Sequence, residues 1–170
     1  MSITKLNNLS ISAVTALPSG VGGKVLQVVS ATKTNTFSTT STTLTDITGL
    51  SLSITPSSTS SKILIFGNIS SSTLAGRVIS FTLVRGSTSI GVSSNTQDYG
   101  GTIAQYHNSN VNDSIINNSL HFYDSPSTTS ATTYKIQTRV NVGDTTVYIN
   151  NRASADSSTV SSITAIEIAG

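Results

Sequence analysis

Apolar and hydroxylated residues alternate along much of this chain, and this alternation constrains the fold more than any other feature. Leu50, Leu52 and Ile54 are separated by single serines, and the same period returns at Tyr134 and Ile136. A period of two places successive side chains on opposite faces of a β-strand. The pattern therefore predicts strands that bury one face and present hydroxyl groups on the other.

Two segments depart from the alternation because they carry apolar residues on both faces of the predicted strand. Residues 62–66 read KILIF, and the closing segment, residues 163–168, reads ITAIEI. We expect the first to be a central strand that is covered on both faces. The closing strand must lie in the middle of a sheet or be buried against another subunit, since an exposed apolar edge promotes aggregation.

The number and spacing of such segments indicate the fold class. About nine short strands alternate with turns rich in Gly, Ser, Asn and Asp, and no helical periodicity lies between them. Gly143 and Asp144, for example, predict a turn that pairs Val147 and Ile149 with the preceding strand. We predict an all-β chain, an antiparallel β-sandwich of the jelly-roll type, which suits a length of 170 residues.

Hydroxyl groups must keep the surface of this sandwich soluble, since charged residues make up only 9% of the chain. Ser and Thr supply about a third of the residues, whereas a usual charged share is about 25%. The nine basic and seven acidic residues are scattered, so we expect no nucleic-acid partner. No apolar run approaches the ~18 residues of a membrane helix, so we expect no membrane insertion.

Residues 1–23 have a different character from the rest of the chain. Their apolar positions fit neither a helix nor a strand, and they end in a Gly-rich joint. We expect residues 1–23 to form an attachment arm that becomes ordered against a partner, and residues 24–170 to form the sandwich domain. Packing of the same segment on its own domain is the alternative, and the sequence leaves both open. The apolar residues of the arm are Ile3, Leu6, Leu9, Ile11, Val14 and Leu17.

Four stretches of the predicted sandwich are distinctive in combination. They are residues 50–65 (LSLSITPSSTSSKILI), 83–91 (LVRGSTSIG), 123–134 (YDSPSTTSATTY) and 162–168 (SITAIEI). Together, and in this order, they resemble a module of bacteriophage tail-fibre and other virion proteins. The resemblance covers roughly residues 24–169, which is the predicted sandwich and not the arm.

The resemblance implies a jelly-roll-like domain that assembles as a homotrimer on a phage particle. In a tail-fibre or receptor-binding protein, the arm would fasten the trimer to the tail and the distal loops would contact the host surface, where a glycan is the partner we consider. In a capsid decoration protein or head fibre, the same arm would bind the shell. We expect the first, because the resemblance is commonest among fibres, although the short chain suits the second.

The same resemblance places the chain in the virion, among other proteins of the tail or capsid. Its first residues lack the basic and apolar regions of a signal peptide. We therefore expect synthesis in the host cytoplasm.

Reactive side chains are too few to predict an enzyme. The only histidines are His107 and His121, no Gly-x-Ser-x-Gly elbow is present, and most aspartates fall in predicted turns. Alternation places His121 with Tyr123 on the wetter face of a strand. A carbohydrate-active enzyme would need a carboxylate pair about 5 to 10 Å apart in a cleft. We predict no catalytic residue, no metal site and no cofactor.

The segment from Asn95 to Asn118 is the best candidate for a binding loop. It combines aromatic rings with amide side chains, and a saccharide can stack on the former and hydrogen-bond to the latter. Asn and Gly are also ordinary residues of long loops, so a plain loop is the alternative. The candidate receptor contacts are Tyr99, Tyr106, His107, Asn108 and Asn110.

Overall fold

The computed structural model of the chain describes residues 24–94, 100–108 and 113–170. Within these residues all regular elements are β-strands, and two antiparallel sheets pack against each other as a β-sandwich. The predicted fold class is therefore confirmed, whereas the predicted arm lies outside the described residues. The strands are β1 (Val25–Lys33), β2 (Phe37–Thr39), β3 (Thr45–Ile54), β4 (Lys62–Ser72), β5 (Arg77–Arg85), β6 (Thr88–Ile90), β7 (Ile103–His107), β8 (Ile116–Asp124), β9 (Thr132–Val140), β10 (Val147–Ile149) and β11 (Ser161–Ile168).

At three places in the sheets, two strands follow one another end to end and together occupy the place of one longer strand, which we call a strand position. β1 and β2 follow one another along one edge of the first sheet, with residues 34–36 between them. β10 and β11 occupy the next position, separated by residues 150–160. In the second sheet, β6 and β7 share an edge beside β5, separated by residues 91–102. Each sheet therefore has four strand positions.

The order of these positions is that of a jelly roll. The first sheet runs β1/β2, β10/β11, β4, β8, and the second runs β3, β9, β5, β6/β7. Apart from the β5–β6 hairpin, the connections between positions cross from one sheet to the other. This crossing pattern brings residues distant in the chain together, because neighbouring positions are seldom consecutive.

The core lies between the inner faces of the two sheets, where the alternation predicted apolar side chains. Ile79, Phe81 and Leu83 of β5 and Ile63 and Ile65 of β4 are fully buried there. The sheets approach closely at Gly67: a Cβ atom at this position would lie 3.1 Å from the side chain of Ile136 in the opposite sheet. A larger residue at position 67 would force the sheets apart or displace Ile136.

The two ends of the sandwich are distinct. We call one of them the terminal end, because the first and last described residues meet there. The Ala169 N–H donates a hydrogen bond to the Lys24 carbonyl at 2.7 Å. Arg85 ends β5 at the same end. At the opposite end, which we call the loop end, β5 begins at Arg77 beside His107. The β4–β5 and β9–β10 connections lie there, as do the end of β7 and the beginning of β8.

Three local predictions are corrected by the structure. The chain does not return from Gly143 to pair with β9: β9 is already flanked by β3 and β5, and β10 instead joins the first sheet. The segment 95–118 is not one loop, because it contains β7 and the start of β8. Residues 62–66 do form a central strand, but no described residue covers the outer side of this strand fully, and Phe66 is 44% exposed.

Candidate functional site

Two of the candidate receptor contacts lie at the loop end. Tyr106 belongs to the edge strand β7 and is 60% exposed, because alternation turns it outward between Gln105 and His107. Asn108 follows directly and is exposed. Tyr99 and Asn110 lie outside the described residues. Of the five candidate residues, the structure therefore places the Tyr106 ring and the Asn108 amide side chain at this end of the sandwich.

His107 is not on the surface. Its ring is 1% exposed and faces the interior, which corrects its assignment as a receptor contact. It contacts the Gln105 amide, and Gln105 in turn accepts a hydrogen bond from the Ser71 hydroxyl at 3.2 Å. Asn118 donates to the same hydroxyl at 3.0 Å. These side chains form a buried polar chain that crosses from the first sheet to the second beneath the loop end.

Other exposed groups at the loop end complete its surface. Leu74 and Val142 are 42% and 38% exposed, and Arg77 pairs with Asp144 at 3.2 Å. An exposed ring with apolar, amide and charged neighbours can stack on the C–H face of a sugar and bond its hydroxyls.

Glu167 is fully buried at the terminal end. It accepts hydrogen bonds from the N–H and the hydroxyl of Ser57, each at 2.7 Å, and from the Gln27 amide at 2.5 Å. Burial alone would raise its pKa, but hydrogen bonds from Gln27 and Ser57 lower the pKa to about 2. The carboxylate therefore fastens both β1 and the β3–β4 connection to the closing strand.

A second network joins the two sheets at the same end. Asp124 of β8 accepts hydrogen bonds from the Arg85 guanidinium at 2.8 and 3.0 Å and from the Tyr134 hydroxyl at 2.6 Å. Burial, followed by the Asp124 carboxylate, raises the pKa of Tyr134 far above its usual value. The hydroxyl thus remains a donor, and Asp124 holds β8 to both β5 and β9.

These two networks connect the four stretches that carry the virion-protein resemblance. Ser57 and Glu167 belong to the first and last stretches, whereas Arg85, Asp124 and Tyr134 belong to the second and third. Residues far apart in the chain thus meet as partners. The four stretches therefore supply the side chains that hold the sandwich together at its terminal end.

The described aspartates are engaged in ion pairs. Lys135 holds the pKa of Asp46 below its usual value, and both residues lie in strands. Asp46 and Asp124 therefore do not occupy the turns where most aspartates were expected. The pairs are Asp46–Lys135 at 2.8 Å, Asp124–Arg85 at 2.8 Å, Asp144–Arg77 at 3.2 Å, and Asp113–Arg152 and Asp156–Arg152 at 3.6 Å.

A shallow depression of about 270 Å³ lies on the outer face of the first sheet. Its wall is the exposed ring of Phe66, and polar side chains including Asn68, His121 and Thr164 line the rest. His121 faces outward with Tyr123, as the alternation predicted. Phe66 was missed as a surface residue, and the signal that marks it is its outward position in the doubly apolar segment 62–66.

Within residues 24–94, 100–108 and 113–170, no three histidine, aspartate or glutamate side chains gather as a metal site would require. The same part of the chain has no helix long and apolar enough to cross a membrane.

In comparisons with known proteins, no family model matches this chain, and no curated protein sequence matches it. The structure therefore defines the fold of this protein: the described residues form a jelly-roll β-sandwich, and polar networks join its two sheets.

Proposed function

We propose that this chain is a bacteriophage virion structural protein, and within that class a homotrimeric tail-fibre or receptor-binding component. In this proposal, residues 1–23 attach the trimer to other virion proteins. The loop end faces away from the particle and contacts a glycan on the host surface. The protein acts by binding and not by catalysis.

The observation that carries this proposal is the separation of chain entry from the candidate contacts. Lys24 lies at the terminal end, whereas Tyr106 and Asn108 lie at the loop end. The nine residues of β5 run between these ends, a span of roughly 30 Å at about 3.3 Å per residue. A domain attached through residues preceding Lys24 therefore directs Tyr106 away from its point of attachment.

The resemblance supports the same proposal. The four stretches that resemble virion proteins supply Glu167, Ser57, Arg85, Asp124 and Tyr134, which hold the terminal end together. A domain tethered at that end needs its strands fastened there, because a pull on the tether acts first on β1. Glu167 meets this need through its contact with Gln27 of β1.

The experiment that tests the location is electron microscopy of particles labelled with an antibody against the sandwich domain. Label at the tail tip is the expected result. Label on the head would favour the capsid decoration protein or head fibre instead. Purified particles without the protein would overturn both.

Receptor binding is tested by adsorption of particles that carry Tyr106→Ala. Loss of a stacking ring should slow adsorption about tenfold, equivalent to about 1.4 kcal/mol. Thr88→Ala, an exposed substitution near Arg85 at the terminal end, serves as the control and should adsorb normally. Unchanged adsorption by the Tyr106→Ala particles would exclude this ring from the receptor contact.

A further inference from the structure

The outer faces of the two sheets differ sharply in chemistry. The second sheet carries the Asp46–Lys135 ion pair and Arg139 on its outer face. Gly100 covers part of it, since its carbonyl accepts a hydrogen bond from Arg139 at 3.1 Å. The first sheet instead presents apolar side chains to its outside. Within the described part of the chain, the covered, charged face is thus opposite an apolar face that no other strand or loop covers.

The apolar side chains of the first sheet form a continuous row. Val28 pairs with Ile166, Ile166 with Leu64, and Leu64 with Tyr123, so the row crosses β1, β11, β4 and β8. Directly opposed residues on paired strands share one face. Adjoining residues widen the row, and we call the whole set the apolar band: Val25, Val28, Leu64, Phe66, Tyr123, Ile166 and Ile168.

The band is large for a surface feature. Val25, Val28 and Tyr123 are 56%, 58% and 56% exposed. With its partly exposed members, the band presents on the order of 500 Å², which matches the largest apolar patch of a typical monomer. A stable interface needs about 800 Å² from each partner, so the band forms a suitable centre for one with a polar rim. The hydroxyls of Ser30, Ser162 and Thr164 adjoin the band and can supply part of that rim.

We propose that copies of this chain associate through the apolar band, which thereby forms the subunit interface of the homotrimer; this inference rests on the proposed function. Lys62 is the one Lys, Arg, Asp or Glu side chain that faces outward from β1, β4, β8 and β11. Identical faces with so little charge do not repel one another, and they offer no charge pattern by which a different partner would be selected.

The shape of the face also suits a second copy. Tyr123 protrudes, and the depression beside Phe66 is a hollow on the same sheet. A protrusion and a separate hollow on each copy allow a head-to-tail contact, and such contacts close into a ring when the rotation permits. The band lies in the half of the face nearest the terminal end. Association there would bring the Lys24 ends of the copies side by side.

The absence of cysteine from the chain provides a direct test. Val28→Cys places a single thiol in the band, and Val92→Cys places a matched thiol at a valine that is 44% exposed outside it. Maleimide labelling of each full-length variant is followed as the protein concentration rises, while light scattering reports the oligomeric state. The thiol of the Val28→Cys variant should react at least tenfold more slowly in the trimer, and that of the Val92→Cys variant should react at an unchanged rate.

A charge variant provides the second readout. The double variant Val28→Lys, Tyr123→Lys should be monomeric where the wild type is trimeric, with an unchanged circular dichroism spectrum, and Val92→Lys should remain trimeric. A trimer in which both thiols react equally fast would overturn the band as the interface and leave the trimer standing. A wild-type chain that stays monomeric at every concentration would overturn both.

Discussion

The buried ring of His107 couples the stability of the fold to pH. If the Gln105 amide donates to Nε2, the proton of the neutral ring lies on Nδ1, which has no hydrogen-bond partner within the described part of the chain. Burial lowers the pKa of His107 below its usual 6.5. The unfolded chain therefore takes up a proton at a higher pH than the folded chain does.

We expect this difference to destabilise the fold on mild acidification. The contribution of a neutral His107 is fully present above pH 6.5 and is lost as the pH falls below that value toward the folded pKa. The free energy of unfolding should fall by up to about 1.4 kcal/mol per pH unit in this window. Urea unfolding between pH 7 and 5 measures it. His107→Gln should remove this slope, and the exposed control His121→Gln should retain it; equal slopes in both would exclude His107 as the source.

Glu167 gives a second pH dependence, at lower pH. Its pKa is about 2 in the folded chain against a usual 4.5, so its stabilisation is present above pH 4.5 and is lost as the pH falls toward 2. Glu167→Gln should remove the charged acceptor from Ser57 and Gln27 and cost about 2 kcal/mol at pH 7. Urea unfolding of the variant should show less change than the wild type between pH 4.5 and 2.

A surface carboxylate provides the control for Glu167. Asp144 is 68% exposed and pairs with Arg77, so Asp144→Asn should change the free energy of unfolding by less than about 1 kcal/mol. If Glu167→Gln is equally mild, the contacts to Ser57 and Gln27 do not hold the terminal end.

The direction in which a side chain points was predictable from the sequence where apolar residues face inward and polar residues face outward. His121 and Tyr123 face outward as predicted, because Leu120 and Phe122 between and beside them are apolar and face inward. His107 was not predictable in this way. It and Gln105 are polar yet face inward, where they contact each other and Gln105 also binds Ser71, a residue that only the folded chain brings close. The burial of Glu167 was hidden for the same reason.

Among the elements, the interrupted strands of the first sheet depend on Asn150. Its amide donates to the carbonyls of Lys33 at 2.8 Å and Asn35 at 3.0 Å, and its oxygen accepts from the Ser161 hydroxyl at 2.6 Å. These contacts connect the break between β1 and β2 to the break between β10 and β11. Asn150 also has a φ of 66°, in the left-handed region that Asn tolerates better than most residues.

Two substitutions of Asn150 should separate the contribution of its side-chain hydrogen bonds from that of its left-handed backbone conformation. Asn150→Gly removes the hydrogen bonds and should cost about 2 kcal/mol, since it leaves buried carbonyls unpaired. Asn150→Ala loses the same bonds and adds the cost of a left-handed Ala, about 1 kcal/mol more. Thermal unfolding measures both variants. Equal stability of the Ala and Gly variants would show that the backbone at position 150 relaxes. Wild-type stability in both variants would show that the hydrogen bonds of the Asn150 side chain do not stabilise the fold.

Strands were predictable where they are long and alternate, as in β3, β5 and β9, but their neighbours were not. A turn at Gly143 indicates a reversal of the chain, yet it does not specify which strand edge is free. Both edges of β9 are occupied by strands distant in sequence, so β10 pairs elsewhere. β7 was hidden because two of its three inward positions are Gln105 and His107, so Ile103 alone does not make a detectable apolar alternation.

In the molecule as a whole, residues 24–170 contain a core of their own. The buried hydrophobic cluster extends from Ile47 to Ala165, and β1 begins at Val25. The hydrogen bond from Ala169 to Lys24 closes the sandwich at the point where the chain enters it. A domain whose strands close on one another in this way is expected to fold on its own.

We therefore expect that deleting residues 1–23 leaves the sandwich folded. On the proposed function, the same deletion keeps it off the phage particle. The free energy of unfolding, measured by thermal unfolding, should change by less than about 1 kcal/mol, since the buried hydrophobic cluster lies within residues 47–165. Immunoblotting of purified particles should detect the full-length chain and not the truncated one. Loss of folding would make residues 1–23 part of the core, whereas normal incorporation would place the attachment in the sandwich. A full-length control, Leu6→Ser with Leu9→Ser and Ile11→Ser, tests the apolar contacts without changing the length, and it should also be missing from particles.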